Sequence, residues 1–207
     1  EVYSFKTGGA GDFSFLLAGD PQIGAGSTAS DIEGWEDTLN KAAAAFPDAS
    51  FLISAGDQVN TASNEEQYTG YLEHAALTGL TTATVVGNHD SGSNSYSQHF
   101  NNPNVTAYGT TTAGSDYWYV YNNVLFLNLN SNNMSTAEHK AFMQEAIEAN
   151  QDVDWKVVVF HHSLFSVASH AYDGDILQRR NELVPVLDEL DIDVVLMGHD
   201  HVYVRSY

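Results

Sequence analysis

Two histidines one residue apart, His199 and His201, sit in Gly198-His199-Asp200-His201 directly after the apolar run Val194-Val195-Leu196-Met197. Alternate side chains of an extended chain leave on the same side, so this pair points into one shared space. Four other strand-like runs end in a comparable way. Phe15-Leu16-Leu17-Ala18 leads into Gly19-Asp20, and Phe51-Leu52-Ile53-Ser54 into Gly56-Asp57. Thr84-Val85-Val86 leads into Gly87-Asn88-His89-Asp90, and Val157-Val158-Val159-Phe160 into His161-His162. The donors delivered are Asp20, Gln22, Asp57, Asn60, Asn88, His89, His161, His162, His199 and His201. Carboxylate, amide and imidazole without thiolate suit Zn, Mn or Fe rather than a structural zinc finger. They are too many for one cation and about right for two. Two cations roughly 3.5–4 Å apart clamp a phosphoryl group, neutralise its oxygens and turn a bridging water into hydroxide at neutral pH.

Such donors work only if strands and helices bring them to one place. Near-continuous apolar runs at residues 13–18, 50–55, 82–86, 156–160 and 193–197 read as strands covered on both faces. Residues 117–121 and 124–129 flank Asn122-Asn123 as a hairpin, and Val2-Tyr3-Ser4-Phe5 alternates like a further strand. Helical spacing marks residues 31–46, with Ile32, Trp35, Leu39 and Phe46 on one stripe and Pro47 as the stop. Further helices are expected over 64–77, capped by Ser63, over 136–150, capped by Ser135, and over 178–190. Residues 91–114, rich in Ser, Asn, Gly and Thr, read as a long irregular insert. Strands alternating with helices indicate a layered α/β domain. Ligands in such sheets sit beyond the carboxyl ends of the strands, so all five donor-bearing ends are expected on one rim.

Composition limits the partners. The 207 residues fit one domain with a sizeable core. Seven Lys and Arg against 27 Asp and Glu leave a net charge of −20, which repels nucleic acid and anionic membrane surfaces. An anionic substrate binds such a chain only where cations supply local positive charge. Cysteine is absent, so disulfides and thiolate metal sites are excluded. No run reaches the roughly 18 apolar residues of a membrane span. Neither a Walker loop nor a G-x-S-x-G elbow occurs. A cysteine-free chain is compatible with export, and an extracellular or cell-envelope location is expected.

Taken together, Gly19-Asp20, Gly56-Asp57, Gly87-Asn88-His89-Asp90, His161 and Gly198-His199-Asp200-His201 resemble, in order and context, the motifs of calcineurin-like metallophosphoesterases. The last motif, with Tyr203 and Arg205 after it, is most similar to the purple acid phosphatase branch, and Tyr3-Ser4-Phe5-Lys6-Thr7 resembles that branch's join to an N-terminal fibronectin-like domain. The resemblance implies a layered metallophosphoesterase β-sandwich flanked by helices and a two-cation centre hydrolysing small phosphomonoesters or phosphodiesters. It implies that Asp57 bridges the cations. Asp20 and His201 would complete one site, and Asn88, His161 and His199 the other. His89 would bind phosphate and protonate the leaving oxygen, with His170 as a second substrate contact. His161 is preferred to His162 because it sets His170 and Tyr172 at the family's spacing.

Two positions depart from the pattern. The branch's chromophoric tyrosine is replaced by Asn60, and the Asp-x-His of other branches by Asp20-Pro21-Gln22. Gln22 or Asn60 is then the amide donor to the first cation, and no purple chromophore is expected. In the family, further strands follow the last histidine motif and complete a second sheet. The chain is therefore expected to be a catalytic piece, residues 1–207, of a longer polypeptide. The rival readings are a non-catalytic, metal-dependent binding or adhesion domain, and a nuclease, which the net charge disfavours. Outside the motifs, His74, His99 and His139 are expected at the surface or in local hydrogen bonds, and Arg205 in a structural salt bridge.

Overall fold

The computed structural model describes residues 11–202. The strand expected at residues 2–5, the segment 3–7 and the salt bridge of Arg205 lie outside that range. Two sheets stack face to face. The first holds β1 (Leu16–Ala18), β2 (Phe51–Ser54) and β3 (Thr81–Thr84), all parallel, in the order β1-β2-β3. The second holds β4 (Tyr117–Tyr121), β5 (Val124–Asn128), β6 (Trp155–Val159) and β7 (Val194–Leu196), in the order β4-β5-β6-β7. Within it, β4 and β5 form the antiparallel hairpin through Asn122-Asn123, and β5, β6 and β7 run parallel.

Three apolar layers hold this arrangement. Between the sheets, Phe51, Ile53 and Val85 meet Phe126, Val157 and Val159. Phe15 stacks on Phe51 and meets Phe126 edge to face, a geometry in which ring quadrupoles attract. Outside the first sheet lie α1 (Thr28–Ala45) and α2 (Glu65–Leu72), which bury Trp35, Leu39 and Tyr71 against Leu52. Outside the second lie α4 (Thr136–Ala149) and α5 (Gly174–Glu189), which bury Phe142, Met143, Leu183 and Leu187 against Leu125, Leu127 and Val158. The result is a helix–sheet–sheet–helix stack.

Several boundaries move from the sequence reading. The donor-bearing ends do not share one sheet: three belong to the first and two to the second, and the rim they form spans both. The cap of α2 is Asn64, whose side chain accepts from the Glu66 and Gln67 amides, rather than Ser63. That helix ends at Leu72, and only a 3₁₀ turn at Ala75–Thr78 follows. Helix α1 starts earlier, behind Ser27, and α5 starts at Gly174. The insert is less irregular than its composition suggests. It folds a short α3 (Ser95–His99) and an antiparallel bridge from Val105 to Tyr117, anchored by buried Tyr96, whose hydroxyl bonds Thr84. His74 is buried, bonded to the Gly70 carbonyl, and His99 stacks on Tyr68 and pairs with Glu65.

His139 is buried as well, and its bond to Asp116 spans 23 residues rather than staying local. Its Nδ1 lies 2.7 Å from Asp116 Oδ2 and its Nε2 3.0 Å from the Asn133 carbonyl, so both nitrogens face acceptors. Burial opposes charge on the ring, but the Asp116 carboxylate outweighs it and lifts the imidazole above its ordinary 6.5. His139→Ala strands a fully buried carboxylate and is expected to cost about 3–5 kcal/mol in urea unfolding. Because the folded pKa is raised, the pair's contribution is complete below 6.5 and is lost as pH rises through the elevated value. Compared with a neutral Asp116→Asn/His139→Gln pair, the wild-type urea midpoint therefore loses ground on going to alkaline pH; a gain there contradicts the assignment.

Candidate metal centre

Backbone hydrogen bonds tie neighbouring donor-bearing loops together in two places. The Asp20 amide donates to the Gly56 carbonyl, Gln22 to Asp57, and Gly198 to His161. The third of these ties the two histidine-bearing loops of the second sheet together. The backbone is strained where donors cluster. Among the described residues, eight non-glycine residues have positive φ, and five of them are Asp20, Gln22, Asp57, His199 and His201. Side chains other than glycine seldom adopt that region, and such residues gather at functional sites.

Close approach depends on glycine at two of the turns. A Cβ on Gly87 would stand 2.0 Å from Asp57 Oδ1 and 2.1 Å from its backbone nitrogen. A Cβ on Gly198 would stand 2.6 Å from Asp20 Oδ2. Gly87 lets the β3 loop close onto Asp57 of the neighbouring β2 loop, and Gly198 lets the β7 loop of the second sheet reach Asp20 of the first.

At the meeting point His161, fully buried, contacts donors from every loop. Its Nδ1 lies 2.9 Å from the Ala55 carbonyl, which fixes a proton there. Its Nε2 then faces Asn88 Oδ1 at 2.9 Å, His199 Nδ1 at 3.1 Å and Asp57 Oδ2 at 3.3 Å. Asp20 Oδ1 stands 3.9 Å from the same nitrogen. One proton on Nε2 can serve only one of these acceptors. A cation can serve all of them, so the donor chemistry fits a metal. Asp57, His161 and His199 offer atoms mutually within 4.8 Å.

Electrostatics point the same way. Burial pushes against charge on Asp57, but its bond to His161 and the His89 amide at 2.9 Å hold its pKa below the usual carboxylate value. Burial raises Asp20, despite the charge of nearby His161 and the His199 amide, which donates to its carboxylate. Burial opposes charge on His161, but Asp57 and then Asp20 raise its pKa. Burial, His161 and His170 hold His199 down to about 4, which leaves its lone pair available.

The remaining predicted residues divide. His201 Nε2 is 3.5 Å from Asp20 Oδ1, with a side chain 57% exposed. Gln22 and Asn60 are bonded to each other, Gln22 Nε2 donating to Asn60 Oδ1 at 3.1 Å. His89 Nδ1 lies 2.9 Å from the Asn60 carbonyl. The His170 ring centre is 4.2 Å from that of His199, while its Nδ1 bonds Asp173. His162, whose ring centre is 4.8 Å from that of His199, makes its side-chain hydrogen bond outside the cluster. Its Nδ1 bonds Ser131, whose carbonyl accepts from Arg179, and burial together with that guanidinium keeps the ring neutral.

A profile of the calcineurin-like phosphoesterase family matches residues 13–203. The chain belongs to that family. Sequence relatives include purple acid phosphatase 17 of Arabidopsis thaliana, 43% identical over 47 residues, which are 23% of this chain and 13% of that protein. An uncharacterized protein of Mycobacterium tuberculosis is 36% identical over 76 residues, 35% of this chain and 14% of its own length. The structure of a purple acid phosphatase from yellow lupin (Lupinus luteus) seeds aligns with a TM-score of 0.63 at 15% identity, over 95% of this chain and 40% of that one. The fold is thus that of the purple acid phosphatases, and the chain spans well under half the length of these relatives.

Two bracing residues of this calcineurin-like phosphoesterase site escaped the sequence reading. Buried Asp90 accepts from the amides of Gly87, Gln58 and Val59, locking the two central loops together. Burial and the nearby Asp57 push its pKa up to about 7. Its place three residues after the turn glycine was the available signal. Asn132 Nδ2 donates to the carbonyls of Val86 and Gly87, just ahead of Asn88, and no local pattern marks it.

Gly87→Ala is expected to weaken Zn²⁺ and Mn²⁺ binding by about 10–100-fold in calorimetric titration, the usual effect of disturbing a metal ligand's support. Gly92→Ala, whose Cβ would meet only Ala62 at 3.6 Å, leaves it unchanged. Equal affinities in the two variants contradict the loop-contact account.

Proposed function

We propose that the chain hydrolyses small phosphoesters at a two-cation centre. The observation that supports this most is the convergence of Asp57, His161, His199 and Asn88 on one point with too few protons to satisfy them. Asp57 would be shared between the cations. One site would use Asn88, His161 and His199; the other would use Asp20 and His201, with Gln22 Oε1 as the amide oxygen not engaged by the Gln22–Asn60 bond. Zn, Mn or Fe suits this oxygen and imidazole set. When bound, the cations supply Lewis acidity, neutralising phosphoryl oxygens and lowering the pKa of the water that attacks phosphorus.

The chain's own groups supply orientation and the proton. With His89 Nδ1 donating to the Asn60 carbonyl, Nε2 is the free nitrogen, and the imidazolium form of the ring would give its Nε2 proton to the leaving oxygen and return to the neutral ring. The His89 backbone amide, bonded to Asp57 Oδ1, couples that ring's position to the central carboxylate. His170, steadied by Asp173, contacts the substrate beside His199. The net charge of −20 favours small phosphoesters over nucleic acids, because charge away from the cations repels a polyanion.

With Mn²⁺ or Zn²⁺, para-nitrophenyl phosphate or its bis ester should turn over, and His89→Ala should lower kcat about 10²–10⁴-fold while leaving metal content intact. Full metal occupancy without turnover of either ester makes the chain a metal-dependent binding module instead. Chelation should abolish turnover and lower the Tm, since a cation bound only by the folded state stabilises it; a Tm unmoved by chelator argues against cations at this centre.

A further inference from the structure

At the pole opposite the metal centre, where β2 and β3 begin and β4 ends, a cleft of about 500 Å³ opens along the seam between the sheets. Its wall is formed by Phe51, Tyr119 and Tyr121, and its rim includes Ser50, Thr81 and Asn101. Tyr119 stacks one face on Phe126 at 4.8 Å, so the ring is a fixed platform. Although the chain has a net charge of −20, no charged side chain lines this cleft. An ionic ligand would find no countercharge there.

The hydrogen-bonding inventory is neutral and partly unspent: Thr82, Asn102, Tyr117 and Asn122 are bonded within the fold, and the rim side chains are not. The side chains of Ser50, Thr81 and Asn101 form no hydrogen bond among the described residues, and the outer edge of β3 has no partner strand among them. The hydroxyls of Tyr119 and Tyr121 are buried without a partner among the described residues and lie out of a ligand's reach, so Ser50, Thr81 and Asn101 are the groups left to meet it. Neutral polar groups around aromatic rings match a ligand with hydroxyls along its edges and apolar C–H faces. We propose that this cleft binds a neutral saccharide. It lies outside the phosphoesterase centre and does not depend on that centre's activity.

The test is binding of cellopentaose, maltopentaose, mannopentaose and chitopentaose to the whole chain, read by saturation-transfer NMR and calorimetry, with polygalacturonate as the anionic control. At least one neutral pentasaccharide should bind with Kd on the order of 1 mM or tighter. Thr81→Ala/Asn101→Ala, which alters two exposed rim residues, should weaken it at least about tenfold with an unchanged melting curve. Tyr119→Leu supplies a second variant, removing the platform while retaining apolar bulk. Failure of all four sugars to bind, equal binding by the wild type and both variants, or equal binding of polygalacturonate overturns the proposal.

Discussion

A buried imidazole nitrogen surrounded by acceptors is the constraint around which this molecule is arranged. His161 has one proton committed to the Ala55 carbonyl, and its other nitrogen meets an amide oxygen, a carboxylate and a second imidazole. Gathering such lone pairs away from water is costly unless positive charge lies among them. The surrounding architecture opposes that cost. Two sheets with aromatic packing between them hold the loops in register, Asp90 ties the central pair, and the loops take strained positive-φ turns to meet. A cation would turn the repulsion into the strongest local attraction, which gives a reason to keep the strain.

Much of this was legible in the sequence because strand ends leave a local signature. Apolar runs stopping at Gly-Asp, Gly-Asn-His and Gly-His-Asp-His gave both the strands and the donors, since the turn glycines that permit close approach stand beside the donors they serve. The capping signal of α4 at Ser135 was equally local and matches the structure. The β-sandwich itself came from the family resemblance, but the assignment of each strand to its sheet was not readable, because which strand pairs with which depends on contacts distant in the chain. His139 illustrates the same limit. His139 shares the buried stripe of α4 with Phe142, Met143 and Ala146, yet nothing local points to Asp116, 23 residues earlier and fully buried. Asn132 likewise acts on carbonyls 45 and 46 residues away.

The altered first motif has a physical consequence. Asp20-Pro21-Gln22 and Asn60 put amides where the related branches use imidazole or phenolate, and in the fold those amides bond each other. An amide oxygen carries no formal charge, so a cation proposed for this half of the centre would rely more heavily on Asp20, Asp57 and the half-exposed His201. The other half, built on buried His161, is more enclosed. On the proposed two-cation reading, this asymmetry would make the two sites unequal in affinity and in exchange with solvent.

Diffraction from crystals grown with Mn²⁺ or Zn²⁺, recorded on both sides of the metal absorption edge, tests the central claim most directly. The account predicts an anomalous peak bounded by Asp57, Asn88, His161 and His199, with a second on the Asp20 and His201 side of Asp57. Density with no peak beside Asp57, and His161 instead sharing a proton with Asn88 or Asp57, would contradict it.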